Sequence, residues 1–436
     1  ARSLIAVTPD GHRSMNTFLG ASHYLPAEAL DKALEADPDF ALAHAMRAGA
    51  LATATDKAFE DEALKSQKAA DALAPKANER EQLHIAGGRA WLDGDLVGGA
   101  ELWGRASMLY PRDLTALQLA HAGDFFLGYS HMLRDRVARV LPKWNRNVPG
   151  YGFVHGMYAF GLEESGDYAA AETHGREACG VNRQDGWAAH AVAHVMEMQG
   201  RAKEGVDFLA ATSAGWEPGS GFAYHLWWHK ALFHLDVGDA KAALELFDEK
   251  ISAGGFGQAL ELIDGSAMLW RLHLLGHDIG KRWDGLVAKW ETRIDHGYYV
   301  FNDVNAMMAF AATGNVAAQN RLIGAVKRAA EGKGTNAMMS REVGLPACEG
   351  FAAFGRGEYA KAIDLLAPVR GKANRYGGSH AQRDMFSWTL TEAAIRAGDR
   401  ALADAFVAER LSWKPESPVN RAWATRAEKL TRKQAA

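Results

Sequence analysis

Small and apolar residues recur every three to four positions along most of the chain, which is the period of an α-helix that buries one face. Beyond the first thirty-one residues, apolar and polar residues rarely alternate as they do in a half-buried strand. Proline is sparse, at 12 of 436 residues, so few positions interrupt a helix. The pattern predicts an all-α chain. The chain is longer than those that usually fold around one compact hydrophobic core.

A glycine-led segment returns along the chain at intervals of 34 to 43 residues, with two gaps of about double that length. Its glycine suits the left-handed turn after one helix, and the acidic residue or Asn that often follows suits the N-terminus of the next. The segments begin at Gly94, Gly166, Gly200, Gly238, Gly314, Gly357 and Gly398. Residues 29–51 fit the same scheme, with a break at Asp37-Pro38. We therefore predict an α-solenoid of degenerate tetratricopeptide-like helical hairpins, a fold that usually binds ligands on its concave face.

The net charge of −4, from 49 basic and 53 acidic residues, is small for this length. Before its last residues the chain contains no Lys/Arg-rich run of the kind that binds along the phosphate backbone of a nucleic acid. We therefore do not expect nucleic acid as a partner. No stretch reaches the roughly 20 apolar residues that span a bilayer, and the N-terminus lacks a signal-peptide core, which predicts no membrane partner and a cytoplasmic location. Cys179 and Cys348 are far apart, which indicates buried free thiols rather than a disulfide scaffold or a CxxC metal site.

Two helical stretches, "HAVAHVMEM" and "YHLWWHKALFHL", each carry histidines four residues apart. Positions i and i+4 share one face of a helix, so His190 lies beside His194, and His225 beside His229. If the protein binds a metal ion, these four imidazoles are its expected ligands, with Glu197 on nearly the same face as His194. The pattern lacks the Glu of HExxH, and the alternative is that the histidines form a hydrogen-bonded seam between helices.

Another polar cluster, "RYGGSHAQRD", spans residues 375–384. Ser379 suits the N-cap of the helix that follows, and Asp384 is expected to pair with Arg383 or with a neighbouring helix. The same helix start, with exposed amides and an Arg beside them, is also typical of an anion-binding site. His380 and Asp384 are four residues apart, which is the spacing of a carboxylate that orients an imidazole as a general base. These interpretations stay open on the sequence alone.

The stretch "YYVFNDVNAMMAF" places Asn302, Asp303 and Asn305 among aromatic and Met residues. A helix that opens at "FND" is expected to have Asn302 or Asp303 as its N-cap, with Asp303 favoured. The alternative is that Asn302 or Asn305, which lie near one face, lines the same groove as the histidines. A site assembled from these polar clusters would be a mostly apolar pocket with aromatic walls. Its candidate residues are His190, His194, Tyr224, His225, Trp228, His229, Asn305, His380, Gln382, Arg383 and Asp384.

The chain from about Lys32 to its end is similar to the tetratricopeptide-repeat protein 38 family. The similar stretches include "DPDFALAHA", "VPGYGFVHGMYAFGLEESGDY", "WAAHAVAHVMEMQGR", "HLWWHKALFHLDVGD", "FNDVNAMMAF" and "YGGSHAQRD". The resemblance implies an all-α solenoid and no agreed biochemical activity. The family tends to have His at the position of Asn305 and Asn at that of Leu226, so a family-wide catalytic set would be incomplete here.

The first thirty-one residues, "ARSLIAVTPDGHRSMNTFLGASHYLPAEALD", are instead similar to a segment of PfkB-type carbohydrate and adenosine kinases. In those kinases comparable residues form strands of the substrate lid. A kinase also needs a Gly-rich catalytic turn with an Asp base, and the nearest string, "AHAGDFF" at Ala120–Phe126, lacks the Asp-Thr-x-Gly context. We therefore expect residues 1–31 to be a leader that forms a short hairpin or frays, not a kinase domain, and residues 32–436 to be the solenoid.

No serine elbow, P-loop, dinucleotide fingerprint or metalloprotease motif is present in the sequence. The leading hypothesis is a helical-repeat protein that binds a small molecule or a peptide in a concave channel lined by His and Trp. The alternative is an enzyme that acts on a small polar metabolite by histidine acid–base or metal-assisted chemistry. The sequence indicates no particular cofactor, and neither enzymatic activity nor oligomeric state follows from it.

Overall fold

The computed structural model describes residues 3–7, 13–17, 27–218 and 221–430, with side chains from Leu30 onward. The chain divides into two compact units. Unit 1 takes in the described parts of Ala1–Val195 and Ala211–Ala223, and unit 2 those of Met196–Ala210 and Tyr224–Ala436. Each unit is a run of helices joined by short turns, which confirms the predicted fold class of tetratricopeptide-like helical hairpins.

Two short strands precede the helices. Strand β1, Ser3–Val7, pairs antiparallel with β2, Arg13–Thr17, so that the backbone of Ile5 lies opposite that of Met15. A short hairpin is one of the two outcomes expected for residues 1–31, the other being a frayed segment, and residues 1–2, 8–12 and 18–26 lie outside the described part of the chain. The first helix, Ala27–Ala36, crosses the boundary predicted between residues 31 and 32.

Nine helices of the described chain lie wholly in unit 1, and the two that follow have residues in both units. The nine are α1 Ala27–Ala36, α2 Ala41–Ala52, α3 Glu60–Leu73, α4 Glu79–Leu92, α5 Leu96–Leu109, α6 Leu114–Leu127, α7 Ser130–Val140, α8 Tyr151–Glu164 and α9 Tyr168–Val181. The two that follow are α10 Gly186–Met198 and α11 Ala202–Trp216. Short 3-10 turns cover Lys57–Phe59, Ala74–Lys76 and Leu141–Lys143.

Unit 2 continues with helices of the same kind. They are α12 Ala223–Asp236, α13 Ala240–Leu246, α14 Ala259–Leu274, α15 Arg282–Glu291, α16 Val300–Ala312, α17 Val316–Glu331, α18 Thr335–Met339, α19 Leu345–Gly355, α20 Tyr359–Arg370, α21 His380–Arg383, α22 Met385–Ala397, α23 Arg400–Trp413 and α24 Pro418–Glu428. A 3-10 turn covers Ala373–Tyr376, and π-helical turns cover Phe247–Ile251 and Ser340–Gly344. No helix of the described residues combines the length and the apolar character that spanning a membrane requires.

The repeated glycine turns form as predicted. All seven glycines that open the repeat segments have positive φ, from +66° at Gly314 to +87° at Gly94, a region that residues with a Cβ rarely adopt. The residue after the glycine often caps the next helix with its side chain. Asp239, for example, accepts a hydrogen bond from the Ala242 amide at 3.0 Å. The same capping is made by Asp95, Asp167, Asn315 and Asp399. These turns therefore set where each hairpin begins.

Helix α14 is buried on nearly every side, although it carries polar residues. Each polar group removed from water needs a partner, because an unpaired one costs free energy. The hydroxyl of Ser266 accepts a hydrogen bond from the Trp290 indole at 2.9 Å. Asp264 and Arg271 find their partners on other helices, and those contacts form the centre of the candidate site below.

The cap predicted for α16 is wrong. The helix begins at Val300 after an N-cap at Tyr299, so Asp303 lies inside the first turn and is buried. The Val300 amide donates instead to the side-chain oxygen of Asn336 at 2.8 Å, and the Tyr299 hydroxyl donates to the Tyr376 carbonyl at 2.9 Å. Tertiary contacts thus decide where this helix starts. Burial raises the pKa of Asp303 to about 7.

Candidate functional site

The two predicted histidine pairs belong to different units. His190 and His194 are on α10 in unit 1, and His225 and His229 are on α12 in unit 2. All four side chains are buried. His194 meets a carboxylate of unit 1, and His225 and His229 each meet a carboxylate of unit 2. The metal ion that the sequence suggests for all four together stays a prediction.

In unit 2, His225 is held by a carboxylate and by an aromatic ring. Its Nδ1 atom lies 2.6 Å from Oδ2 of Asp264 on α14, and its ring stacks on Trp228 with ring centres 5.2 Å apart and planes 16° apart. Burial raises the pKa of Asp264, although the nearby imidazole opposes that shift. A short bond to a buried carboxylate fixes both the orientation and the tautomer of the imidazole.

The second histidine of the pair joins a network of charged groups. The Nδ1 atom of His229 lies 3.3 Å from Oε2 of Glu197, whose other oxygen lies 3.7 Å from Nζ of Lys414. Lys414 also donates to Asp236 at 2.6 Å. Burial alone would lower the pKa of Lys414, but the carboxylates of Asp236 and Glu197 raise it overall. Lys414 is therefore paired with two carboxylates, and both of these also act electrostatically on Arg271.

Next to the histidines, tryptophan rings and guanidinium groups alternate in a row. The row, called here the Trp–Arg stack, consists of Trp228, Arg271, Trp388, Arg410 and Trp423. Each guanidinium carbon lies between 5.2 and 5.7 Å from the ring centres of its two neighbours. Attraction between a cation and an aromatic face is stronger where water is absent, and all five side chains are buried.

The two arginines of the Trp–Arg stack differ in how their charge is balanced. Arg410 donates to both oxygens of Asp384, at 2.8 and 3.1 Å. Arg271 donates to the backbone carbonyls of Ala267 and Ala381, at 3.0 and 2.6 Å, and no carboxylate oxygen of the described residues lies within 4.0 Å of it. Burial lowers the pKa of Arg271, although the more distant carboxylates of Asp384, Glu197 and Asp236 oppose that shift. A guanidinium that is 2% exposed without a direct ion pair is rare in proteins.

A hydrogen-bond donor near Arg271 lacks a partner among the described residues. The indole nitrogen of Trp228 is buried and makes no hydrogen bond to any described residue. Buried donors of this kind usually bind a water molecule or a ligand, because leaving them unpaired costs about 1–3 kcal/mol. The guanidinium carbon of Arg271 lies 5.6 Å from the centre of the ring that carries this unpaired donor.

The segment at residues 379–384 lies against Arg271 through the carbonyl of Ala381. Ser379 is the N-cap, as predicted: its hydroxyl accepts from the Gln382 amide, and the Gln382 side chain accepts from the Ser379 amide at 3.1 Å. Two amides of the predicted anion-binding helix start are therefore already bonded. Asp384 pairs with the neighbouring helix through Arg410, whereas Arg383 donates to the carbonyls of residues 377 and 378. His380 is half-buried at the start of α21.

Two further candidates have different surroundings. Asn305 on α16 donates to the carbonyl of Phe301 in its own helix at 2.9 Å, and its side-chain oxygen is buried with no hydrogen-bond partner among the described residues. The contact found for Asn305 is therefore with its own helix rather than with the histidines. Tyr224 precedes His225 on α12, with ring centres 6.5 Å apart.

In unit 1, His190 packs on an aromatic ring and His194 meets carboxylates. The His190 ring stacks on Phe160 with centres 5.2 Å apart. The Nδ1 atom of His194 lies 3.4 Å from Oε2 of Glu163, and the ligand atoms of His194, Glu163 and Glu164 all lie within 4.8 Å of one another. These three buried residues have the donor types that a divalent transition metal accepts.

The sequence interpretation missed Asp264, Arg271, Glu163 and Glu164. Asp264 is 39 residues from its histidine partner, so no local spacing connects them. One signal was available, since Asp264 and Arg271 are charged residues inside the mostly apolar stretch "ALELIDGSAMLWRLHL". A charge in a helix that is buried all round needs a specific partner.

No family model matches this chain. Among solved structures, the yeast Tom70 is similar at 13% identity and a TM-score of 0.34, covering 92% of this chain and 84% of that one. Naa15/Naa10 bound to HypK-THB is similar at 14% identity and a TM-score of 0.28, covering 94% of this chain. This chain spans 63% of the length of that second structure. Both TM-scores lie below 0.5, so neither likeness informs the function.

Proposed function

We propose that this chain is a helical-repeat protein that binds a small anionic molecule in unit 2, at His225, Trp228 and Arg271. The observation that carries the proposal is the buried guanidinium of Arg271, which has no carboxylate within 4.0 Å among the described residues. On its sequence resemblance alone, we also propose that the chain is of the tetratricopeptide-repeat protein 38 type, with the PfkB-like likeness confined to its first residues.

Arg271 carries a buried positive charge without a direct ion pair among the described residues. Removing an ion from water costs on the order of several kcal/mol, and backbone carbonyls and aromatic faces offset only part of that cost. An anion beside Arg271 would be a direct partner of the guanidinium and would accept hydrogen bonds from it and from the unpaired indole N–H of Trp228. A phosphate and a carboxylate share this chemistry, so the proposal covers both.

Burial favours a small molecule over a peptide. His225 is 7% exposed, Arg271 is 2% exposed and Trp228 is fully buried. A peptide needs an open groove for its backbone, whereas a small ligand in a closed site is surrounded by apolar walls with a few polar groups. The rings of Trp228 and Trp388, which both contact the guanidinium of Arg271, would provide such apolar walls.

The alternative function is an enzyme that acts on such an anionic metabolite. Its support is the 2.6 Å contact between His225 and Asp264, which favours the tautomer with the proton on Nδ1. The Nε2 atom of that tautomer is an acceptor, as a general base requires. Metal-assisted chemistry at the four predicted histidines stays a further prediction. An Asp264→Asn variant that binds anions but loses turnover would favour the enzyme.

The proposal is tested by calorimetric titration of the full chain with inorganic phosphate, pyrophosphate and citrate. Arg271→Met is expected to weaken binding of the preferred anion by about 10- to 100-fold, since a hydrogen bond to a charged group contributes about 1.5–3 kcal/mol. Arg321→Met is the matched control, because it removes one positive charge from an exposed site of the same unit. Equal affinities of wild type and Arg271→Met, or no binding of any of the three anions, would contradict the proposal.

A further inference from the structure

A separate group of metal-ligating side chains lies between two neighbouring helices of unit 1. His155 is on α8, and His174 and Glu177 are on α9. The Nδ1 atoms of the two histidines are 2.9 Å apart, and Oε2 of Glu177 is 4.0 Å from Nδ1 of His155. One ligand atom from each of the three side chains lies within 4.8 Å of the others.

The convergence follows from the sequence of the two helices. His174 and Glu177 are three residues apart, which places them on one face of α9. Gly152 lets α8 approach that face closely, because a Cβ at this position would come within 3.2 Å of the Val181 side chain. The close approach of α8 to α9 thus brings His155 opposite His174 and Glu177, so the three side chains lie together.

Neighbouring side chains hold the three groups in place. The ring of Tyr151 lies 4.1 Å from the His155 ring, and the Tyr151 hydroxyl donates to Oε1 of Glu177 at 3.1 Å. Arg146 donates to the same oxygen at 2.9 Å. Because Oε1 is already bonded, Oε2 is the oxygen that faces the histidines. Such outer contacts orient metal ligands in known sites.

We propose that His155, His174 and Glu177 bind one divalent transition metal ion of the zinc class. Two histidines and one carboxylate are the protein ligands of open zinc sites, which leave a position for water. Two metal–nitrogen bonds of about 2.0–2.1 Å that enclose about 90° place the nitrogens about 2.9 Å apart, and a tetrahedral angle places them about 3.3 Å apart. The observed separation of 2.9 Å therefore needs little change.

The contact between the two imidazoles is also compatible with a metal ion. Their present contact needs one Nδ1–H donor, and metal binding would move that proton to Nε2 of the same ring without net release. The cation of Arg146 opposes a second positive charge, but its side chain is 74% exposed and is able to turn toward water.

The structural alternative is that the two imidazoles only hydrogen-bond to each other. Equilibrium dialysis of the metal-stripped full chain against Zn²⁺, followed by elemental analysis, separates the two cases. The variants His174→Ala and Glu177→Gln are expected to bind one Zn²⁺ fewer, or to bind it at least about ten-fold more weakly, than wild type. Both side chains are partly exposed, so these variants should fold.

Because each variant is compared with wild type, any Zn²⁺ that other histidine groups bind cancels in the comparison. His131→Ala is the control, because His131 is exposed on α7 in the same unit and should leave Zn²⁺ binding unchanged. A Tyr151→Phe variant should weaken binding about ten-fold if Tyr151 orients Glu177. Thermal denaturation should show Zn²⁺ stabilising wild type more than His174→Ala. Equal Zn²⁺ numbers and affinities for wild type and His174→Ala, or no Zn²⁺ bound by wild type, would overturn the proposal.

Discussion

Arg271 and Trp228 are buried against each other, with the guanidinium carbon of Arg271 5.6 Å from the ring centre of Trp228. A buried cation–π contact stabilises the charge by about 2 kcal/mol or somewhat more. That is less than the penalty of several kcal/mol, in order of magnitude, for taking an unpaired ion out of water. The contact therefore offsets only part of that penalty, and an anionic ligand bound directly to Arg271 would reduce the rest.

The first prediction concerns stability without ligand, for two buried arginines. Arg136 in unit 1 is fully buried and donates to both oxygens of Asp124, at 2.7 and 2.9 Å. Arg136→Met should cost about 3–5 kcal/mol of unfolding free energy, because it leaves a buried carboxylate unpaired. Arg271→Met should cost only about 1–2 kcal/mol, since two backbone carbonyls but no carboxylate lose a direct partner. Urea unfolding followed by circular dichroism measures both, and equal losses would mean that Arg271 is compensated by the protein itself.

The second prediction uses the buried carboxyl of Asp303. Burial raises its pKa to about 7 in the folded chain, well above the unfolded value of about 3.9. Burial favours the protonated carboxyl group. The stability that this form contributes is therefore fully present below about pH 4 and is lost as the pH rises through about 7. Replacing Asp303 by Asn removes this pH-dependent loss. Relative to wild type, the variant should therefore gain up to about 4 kcal/mol of unfolding free energy as the pH rises from 4 to 8.

The measurement is urea unfolding of wild type and Asp303→Asn at several pH values across that range. Asp185, whose pKa is also raised by burial, to about 6, contributes equally to both proteins and cancels in the comparison. Asp207→Asn is the control, because Asp207 is exposed. A difference between Asp303→Asn and wild type that stays constant with pH would show that Asp303 is ionised in the fold.

The third prediction tests the glycine turns that define the repeat. Gly314 has φ of +66° and open space where a Cβ would be, so Gly314→Ala should cost about 1 kcal/mol through backbone strain alone. Gly285 also has open space but lies inside α15, where Ala is favoured over Gly by about 1 kcal/mol. Thermal unfolding should therefore shift down for Gly314→Ala and up for Gly285→Ala. Shifts of the same sign would refute the role assigned to the turn.

The sequence was sufficient for the features that depend on local chemistry. The positive φ of Gly238 and the cap made by Asp239 involve neighbours a few residues apart, and both could be predicted. The start of α16 could not, because the aromatic residues Tyr299 and Phe301 pack against Tyr376, far away in sequence. Tertiary contact there overrides the cap that "FND" suggests.

The candidate site divides in the same way. The face shared by His225 and His229 follows from helical spacing, and their rings do lie 4.8 Å apart. Their partners Asp264 and Glu197 come from other helices, 39 and 32 residues away. Those contacts depend on how the helices rotate and slide against each other, which no single-sequence pattern specifies.

The most direct test of the anion site is native mass spectrometry of the gently purified full chain. We expect wild type to carry extra mass that corresponds to a small phosphate- or carboxylate-bearing molecule. Arg271→Met should lose that mass, and Arg321→Met, which changes an exposed charge by the same amount, should keep it. A wild-type mass that equals the polypeptide alone, or a retained molecule that survives Arg271→Met, would contradict the account.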